Sequence, residues 1–339
     1  MKTESGVISR PCFDPPSKEF VLAKPVQRES YDEKIIYELE KQGRLIITRK
    51  RNGYKLFAIK AKGKWKIYTD GFNEIFCVDH IKQELEKLKL PNKTWLAGEG
   101  IVDIKDSDDF SRVAGILKSG KERALRIQKE IGFVKLMVFG VIFWENKCRI
   151  SDPYSEQLEL IKKMLGKKQL KHLLPVTVLD LTFDEAKKKV AEEKKINSKS
   201  WEGLVLYDRN FVSSYRLDGK DPKRPTGCYK WKPIYEDDFI VRELAMNEKD
   251  KIVKEVLLCQ IDPVTRQEFS CGKFGLFSAE KRNWLATAGL PLVIQLEFED
   301  RSESGKLINA RIGEIGFRND KKPENCIAPK NFEIIKNPR

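Results

Sequence analysis

The chain has 339 residues, about twice the usual size of a single domain, so two domains with separate cores are expected. Its 65 Lys and Arg residues outnumber its 51 Asp and Glu residues and give a formal net charge of +14, which favours a polyanionic partner such as nucleic acid. The seven cysteines are at least twelve residues apart and form no CxxC pair, and there are only two histidines. This pattern argues against a disulfide framework, a zinc site and a histidine-based catalytic triad.

The N-terminal sequence has no apolar segment of the kind found in signal peptides, and eighteen consecutive apolar residues occur nowhere. We therefore expect a soluble protein that is neither secreted nor bound to a membrane, with reduced cysteines typical of the cytoplasm.

The first predicted elements follow a lead-in rich in proline, serine and charge. Residues 1–30 are expected to be irregular rather than part of the core. A short helix is predicted at Tyr31–Gln42. Alternating apolar residues then predict strands at Leu45–Thr48, Tyr54–Ile59 and Trp65–Tyr68, which we expect to form an antiparallel meander.

Helical periodicity returns at Val78–Leu88 and Phe110–Lys129, each ahead of an apolar strand, at Trp95–Val102 and Phe133–Trp144 respectively. A charged amphipathic stretch, Phe183–Lys195, predicts a surface helix. Together these elements indicate a mixed α+β fold.

The character of the sequence changes after Lys232-Pro233. Strand-like runs separated by turn residues follow, at Phe239–Val241, Ile252–Leu258 and Leu292–Phe298. They predict a small β-barrel, with the domain boundary near residue 235. The expected domains are thus residues 31–235 and 236–339.

The first candidate for chemistry is Lys50, which opens the segment Lys-Arg-Asn-Gly between two predicted strands. A loop at this point could present the lysine to a pocket. By itself, however, the tetrapeptide favours an ordinary hairpin, because Asn-Gly is a common two-residue turn.

Four apolar segments, each interrupted by very few polar residues, follow Lys50 in order. Singly, Glu99 and Glu202 could be ordinary carboxylates at strand ends, and Phe139 could be a core residue. The segments are Leu96–Val102, Val138–Val141, Trp201–Tyr207 and Tyr229–Pro233.

This ordered series resembles the motifs of the covalent nucleotidyltransferases: DNA ligases, RNA ligases and mRNA capping enzymes. Their motifs are KxDG, DGE, an aromatic-rich strand, EGxV and KxK. Phe20–Pro25 also resembles the lead-in of DNA ligases, and Phe317–Glu324 resembles the RxDK motif that ends their OB domain. The resemblance spans most of the chain and is greatest to compact ATP-dependent DNA ligases of the viral and bacteriophage type. It implies an adenylyltransferase domain of antiparallel sheets and helices, related to the ATP-grasp fold, followed by an OB-fold β-barrel.

The resemblance also implies roles for the motif residues. Lys50 would be the nucleophile that attacks ATP and carries AMP, and Lys230 and Lys232 would contact the α-phosphate. Because an ordinary lysine has a pKa of about 10.4, cationic neighbours or desolvation must favour the neutral amine that attacks. Glu202, with Glu99, would hold Mg²⁺, whose preferred ligands are oxygens.

Other residues are assigned by the same resemblance. Glu99 would contact the ribose, and Phe139 would stack on adenine. Arg318, Asp320 and Lys321 would serve the first step by orienting the pyrophosphate leaving group.

Four positions depart from the family pattern. Asn52 replaces the Asp of KxDG, and Lys55 replaces the usual Arg of a nucleotide or nucleic-acid contact. Gly140 stands where DNA ligases often have Asp, and Asp70 lies in a stretch that usually contains Arg.

The basic segment between Glu202 and Lys230 is where ligases place an arginine that touches the nucleotide or the nick phosphate. Arg224 is the first candidate and Arg216 the second, with Lys220 between them. The same segment could simply follow the DNA backbone.

Sealing of nicks in double-stranded DNA, in replication, repair or recombination, is the leading hypothesis, for a protein that acts as a monomer. An mRNA capping guanylyltransferase is an alternative, because its fifth motif often reads KWKP. An RNA ligase, or a ligase that accepts RNA-containing nicks, is another, favoured by Asn52. The alternative outside enzymes is a nucleic-acid-binding protein with a decayed transferase fold.

Overall fold

The structure is a computed structural model that describes residues 19–104, 107–108, 110–145, 147–166, 169–196, 201–248, 252–302 and 304–329. The chain forms two compact units, which divide between Lys232 and Pro233. Residues 1–18 of the expected lead-in lie outside the described ranges.

The first unit combines helices with mostly antiparallel strands. Its described helices are α1 (Lys34–Lys41), α2 (Asp79–Lys87), α3 (Phe110–Leu117), α4 (Lys121–Ile131), α5 (Tyr154–Leu165) and α6 (Phe183–Ile196). Its described strands are β1 (Phe20–Leu22), β2 (Leu45–Lys50), β3 (Tyr54–Ala61), β4 (Lys64–Thr69), β5 (Thr94–Ile101), β6 (Asp103–Ile104), β7 (Ser107–Asp108), β8 (Lys135–Trp144), β9 (Lys147–Cys148), β10 (Leu173–Pro175), β11 (Val178–Leu179), β12 (Gly203–Asp208), β13 (Tyr215–Leu217) and β14 (Cys228–Trp231).

Two larger sheets organise this unit. One has the order β10-β8-β5-β3-β4, with β9 also paired to β8, and its only parallel pair among the described strands is β10 with β8. The other has the order β11-β2-β12-β14. Each sheet has its own apolar core. Leu56 and Leu96 belong to the core of the first sheet, whereas Ile47 and Leu204 pack with α1 and α6 on the second.

The predicted meander is wrong at its first turn. β3 and β4 do pair, but β2 pairs with β11 and β12 in the other sheet. Gly53 explains why the chain passes between sheets here: a Cβ at this position would lie 2.4 Å from the carbonyl oxygen of Gly100. Glycine therefore lets the start of β3 pair closely with β5, where Tyr54 faces Gly100. The Asn-Gly hairpin is excluded.

Part of the expected irregular lead-in is also ordered. β1 pairs antiparallel with β13, and Phe20 is buried among aromatic rings that include Phe57 and Trp95. The apolar Phe-Val-Leu run thus outweighs the surrounding prolines, because it adds a strand to an existing aromatic core.

The helical predictions differ from the structure in two places. The stretch predicted as one helix at Phe110–Lys129 forms α3 and α4, which separate around Gly120, the N-cap of α4. Helix α5 was not predicted from the sequence, although Leu158 and Ile161 on it are buried. Among the described helices of the whole chain, none is long and apolar enough to span a membrane.

The second unit is mainly antiparallel sheet. Its described elements are β15 (Tyr235–Met246), β16 (Val253–Ile261), β17 (Glu268–Phe274), α7 (Ala279–Thr287), β18 (Leu292–Phe298), β19 (Asp300–Arg301), β20 (Leu307–Ile308) and β21 (Arg311–Phe317). The main sheet has the order β17-β16-β15-β18-β21 around a core that contains Phe239 and Ile294. Within the described residues its outer strands do not pair, so this is an open five-stranded form, as OB-folds can have.

The two histidines of the chain lie together in the first unit. Their ring centroids are 4.7 Å apart, and His80 Nε2 is 2.8 Å from the carbonyl oxygen of Val134. Glu84 on α2 accepts hydrogen bonds from the backbone N–H groups of Lys171, His172 and Leu173. This contact fixes the start of β10 beside α2. Burial lowers the pKa of His80, and the neighbouring His172 adds to this effect.

We expect the titration of His80 to contribute a loss of stability as the pH falls below 6.5, the ordinary pKa of histidine. Because the folded-state pKa of His80 is lower than this, the unfolded chain takes up a proton first and is favoured. His80→Gln keeps a side-chain N–H donor but cannot titrate. Its free energy of unfolding, from denaturant titration at about pH 7.5 and 5.5, should fall less than that of the wild type. Equal losses of unfolding free energy in the two proteins would show that the titration of His80 does not contribute.

Candidate active site

A cavity of about 250 Å³ lies in the first unit between its two larger sheets. The four-stranded sheet contributes Thr48, Lys50, Val205, Tyr207 and Cys228 to its wall, and the other sheet contributes Lys55, Ala97, Glu99, Met137 and Phe139. Further lining comes from the lead-in, including Lys24 and Pro25, and from α5, with Tyr154 and Gln157. The cavity is therefore mostly apolar, with a small number of charged groups.

One carboxylate joins two of the motif lysines. The Oε2 atom of Glu202 forms an ion pair with Lys50 Nζ, and its Oε1 atom lies 2.7 Å from Lys232 Nζ. All three side chains are less than a quarter exposed. Burial by itself would raise the pKa of Glu202, but the charges of Lys50 and Lys232 outweigh burial and hold it below its ordinary value. This carboxylate is therefore ionised at neutral pH.

Strand register explains why these three residues meet. Lys50 ends β2 opposite Gly203 at the start of β12, and Leu204 lies opposite Trp231 at the end of β14. Glu202 and Lys232 flank these positions in sequence. Gly203 allows the close approach, since a Cβ there would lie 2.2 Å from the carbonyl oxygen of Trp231. The glycine of the Glu-Gly pair is thus required sterically.

Glu99, the carboxylate that lines the cavity, differs from Glu202 in its electrostatic character. Burial raises the pKa of Glu99 to about 7, although the charges of Lys50 and Lys55 act against the rise. Glu99 lies directly opposite Lys55 across β5 and β3. Burial also lowers the pKa of Lys55, and Asp70 partly offsets this. Two carboxylates near one lysine thus differ in protonation because their surroundings differ.

The apolar part of the wall includes Phe139 on β8 and Val205 on β12. Gly140 also lines the cavity, where the family pattern often has Asp. The neighbouring Gln157 is buried and accepts a hydrogen bond from the N–H of Val141 at 3.2 Å. A flat apolar wall of this kind suits an aromatic base.

Glu202 and Lys232, like the remaining first-unit candidates, are not among the residues that line the cavity. Lys230 is half-buried on β14, where its backbone N–H donates to Val26 O at 2.9 Å. Arg224 Nη1 donates to Pro25 O at 2.7 Å and so ties the basic segment to the lead-in. Arg216 forms an exposed ion pair with Asp218, and Asn52 lies in the connection between β2 and β3.

Most residues that line the cavity were not predicted as site residues from the sequence, among them Thr48, Tyr154 and Tyr207. Tyr207 could have been found, because it alternates with Val205 along a strand and so shares its face. Tyr154 could not, because it reaches the cavity from α5, which the sequence did not predict. The Tyr154 and Tyr207 rings stack with their centroids 3.6 Å apart.

In the second unit, the predicted basic residues gather around a carboxylate that the sequence did not indicate. Arg318 Nη1 is 3.1 Å and Lys321 Nζ is 2.6 Å from Asp238 Oδ2. Asp320 accepts from Arg318 Nε at 3.0 Å and from Nη2 at 2.6 Å. These contacts with Asp320 and Asp238 raise the pKa of Arg318 further above its ordinary value.

We expect Glu99→Gln to stabilise the protein, and to do so more at about pH 8 than at pH 5.5. The folded-state pKa of Glu99, about 7, exceeds the ordinary 4.5. The stabilisation that its proton provides is therefore complete below about pH 4.5 and is lost as the pH rises through 7. Thermal unfolding midpoints of both proteins at the two pH values would measure this. A variant that is less stable than the wild type at pH 8 would contradict it.

Comparisons with known proteins agree on the fold. No protein-family model matches the sequence, and no curated protein matches it. Among solved structures, a Lig E DNA ligase, described as binding DNA with a minimal scaffold, superposes with a TM-score of 0.60 at 16% identity, covering 88% of this chain and 98% of that one. A structure named Pmar-Lig_Pre has a TM-score of 0.63 at 19% identity, covering 88% of this chain and 68% of that one. A structure named Pmar-Lig_PreS3 has a TM-score of 0.59 at 17% identity, covering 86% of this chain and 67% of that one. The chain therefore has the fold of compact DNA ligases, an adenylyltransferase domain followed by an OB-fold domain, which confirms the fold predicted from the motif order.

Proposed function

We propose that the chain is an ATP-dependent polynucleotide ligase that seals nicks with a 5′-phosphate and a 3′-hydroxyl in duplex DNA. The observation that carries this proposal is the placement of Lys50. It lines an apolar cavity beside Phe139 and shares the carboxylate of Glu202 with a second lysine, Lys232. The DNA ligase fold supports the same activity.

In the first step, Lys50 Nζ gives up one ammonium proton, for which its ion-pair partner Glu202 is placed as acceptor, and the resulting amine attacks the α-phosphorus of ATP and loses a second proton to solvent. A P–N bond forms, the bond from phosphorus to the bridging oxygen breaks, and pyrophosphate leaves. Lys50 must exchange its ion pair with Glu202 for a contact with the phosphate. Lys232 and Lys230 supply positive charge at the α-phosphate, where negative charge develops.

The residues present fit a magnesium ion. Glu202, which is ion-paired with Lys50, and Glu99, which lines the same cavity as Lys50, offer hard oxygen ligands, and the charge of Lys50 acts on both carboxylates. Among the described residues no group of three or more His, Cys, Asp or Glu side chains is placed to hold a metal, which suits an ion whose shell is completed by phosphates and water. When bound, Mg²⁺ supplies neutralisation of phosphate charge.

The nucleotide base would occupy the apolar part of the cavity, with Phe139 and Val205 as its walls and the ribose near Glu99. By the family pattern, Lys55 and Asn52 would contact phosphates or the nucleic acid. Arg224 would reach the nucleotide or the nick phosphate.

In the later steps, AMP passes from Lys50 to the 5′-phosphate of the nick, and attack by the 3′-hydroxyl releases AMP and joins the strands. The net charge of +14 supplies long-range attraction for the DNA backbone. Exposed basic residues on α4, including Lys121 and Arg123, are candidates for contact with phosphates. We propose that the protein acts in the cytoplasm as a monomer.

We expect Lys50→Ala to abolish the covalent enzyme–AMP adduct and the sealing of ordinary nicks, because the ε-amine of Lys50 forms the phosphoramidate in the proposed first step. Sealing of a pre-adenylated nick should partly survive. Denaturing electrophoresis after incubation with α-labelled ATP and Mg²⁺ measures the adduct. Lys64→Ala, an exposed lysine on β4, is the matched control and should label like the wild type.

The same assay with α-labelled GTP separates a ligase from a capping guanylyltransferase. Label from ATP alone supports the proposal, and label from GTP alone overturns it. Labelling of Lys50→Ala at the wild-type rate would place the nucleophile elsewhere.

Asn52 generates a prediction about the strand that supplies the 3′-hydroxyl. An amide cannot act as a base, but it can donate to and accept from a ribose 2′-hydroxyl. We therefore expect the wild type to tolerate RNA at the 3′ side of the nick, and Asn52→Asp to shift the preference towards DNA by about tenfold. Rates on four nicks, with DNA or RNA on each side, measure this. Identical substrate ratios in the two proteins would refute the specificity role and leave the ligase activity unaffected.

A further inference from the structure

Asp238 is a buried carboxylate in the second unit that no motif includes. It lies on β15 with 6% of its surface exposed. Its Oδ2 atom accepts from two cations at once, Arg318 at 3.1 Å and Lys321 at 2.6 Å. Two of the three basic residues of the Phe317–Glu324 segment are therefore joined through one acid that precedes them by about 80 residues in the chain.

A buried polar network holds Asp238 in place. Gln260, which is fully buried, donates to Asp238 O at 2.9 Å and to Asp237 Oδ2 at 2.8 Å. The N–H of Asp238 donates to Asp237 Oδ1 at 2.9 Å. Arg301 pairs with Asp237 at 3.3 Å, and its guanidinium lies over the rings of two phenylalanines, Phe239 and Phe298. Asp238 thus has little freedom to move.

The cations have a second attachment that is independent of Asp238. The backbone N–H of Arg318 donates to Val293 O at 2.8 Å, so the chain is fixed at β18 where the segment begins. With the backbone held there and the side-chain end held at Asp238, the position of the guanidinium is defined at both ends. Lys321, three residues further on, is held by the same Oδ2 atom.

The charges in this cluster balance. Arg318 and Lys321 contribute two positive charges, and Asp238 and Asp320 contribute two negative ones. The side chain of Asp238 is only 8% exposed, and its contacts with the two cations replace the water that burial removes. Arg318 uses three of its five N–H donors on the two acids, and Lys321 uses one of three on Asp238. The remaining donors can still engage an anion.

We propose that Asp238 is a positioning residue that holds Arg318 and Lys321 in a fixed relative position for binding the pyrophosphate of ATP in the first step. This inference rests on the proposed ligase function. Asp238 itself, as an acid, would repel pyrophosphate. It acts through the two cations, whose spacing it fixes before the anion arrives, so that less order has to be gained on binding.

The experiment uses the full chain and the reverse of the first step. Pyrophosphate attacks the lysyl–AMP and regenerates ATP. The pyrophosphate concentration that gives half-maximal discharge of labelled enzyme therefore measures how well Arg318 and Lys321 bind pyrophosphate. We expect Asp238→Asn to raise that concentration about tenfold or more, and to slow forward adenylation by a similar factor. Sealing of a pre-adenylated nick should stay within about threefold of wild type, since pyrophosphate has already left.

Two further variants separate positioning from general stability. In a protein that already carries Arg318→Ala and Lys321→Ala, adding Asp238→Asn should cause no further loss of pyrophosphate affinity. Asp238→Glu keeps the charge but shifts it by one methylene, so it should give an intermediate effect with a nearly unchanged unfolding temperature. It also tests the proposal if Asp238→Asn does not fold.

The control is Glu268→Gln, which removes the partner of Arg242 in an exposed ion pair of the same unit. It should behave as wild type in every assay. Equal losses of adenylation and of pre-adenylated sealing in Asp238→Asn, or wild-type pyrophosphate dependence in Asp238→Asn or in Asp238→Glu, would overturn the inference. Absence of any adduct in the wild type would instead overturn the proposed function.

Discussion

The ion pairs of Glu202 with Lys50 and Lys232 are the interaction on which the first unit depends. Three strands must be in register for this contact, because Lys50 ends β2, Glu202 precedes β12 and Lys232 follows β14. A one-residue slip of any strand would turn one of these side chains to the opposite face of the sheet. Gly203 is part of the same constraint, since no side chain fits against the carbonyl of Trp231.

Two acids interact electrostatically with Lys50, and they differ in pKa. Glu202 is kept ionised by two lysines, whereas burial raises the pKa of Glu99 to about 7. The surroundings of Lys50 therefore need not hold two full negative charges before the proposed nucleotide binds. A metal ion or a phosphate that enters changes this balance, because added positive charge favours the ionised form of Glu99 and added negative charge competes with Glu202 for the lysines. In the proposed reaction, substrate binding is thus linked to the release of Lys50 from its ion pair with Glu202.

Sequence reasoning succeeded where the information is local or ordered along the chain. The alternating residues of β3, β4 and β18 predicted strands, and the order of motifs predicted the ligase fold. It failed where pairing depends on distant residues. Nothing local shows that β2 and β3 belong to different sheets; the reason is the contact of Gly53 with Gly100, which comes from a strand more than forty residues away. Tyr154 and Asp238 were missed because their roles also depend on contacts with residues that are distant in the chain.

Each of the two units uses a carboxylate to hold two cations in place, Glu202 in the first unit and Asp238 in the second. In each, a carboxylate less than one-fifth exposed in its side chain binds two cations that the motifs identify, Lys50 and Lys232 in one and Arg318 and Lys321 in the other. Cations brought close together repel one another, so an acid between them lowers the cost of holding them in place. In the proposed reaction Glu202 must release Lys50 to a phosphate, whereas Arg318 and Lys321 keep N–H donors that Asp238 and Asp320 do not use. A basic chain can in this way keep its motif cations ordered without substrate, while its remaining surface charge is available to attract the nucleic acid of the proposed reaction.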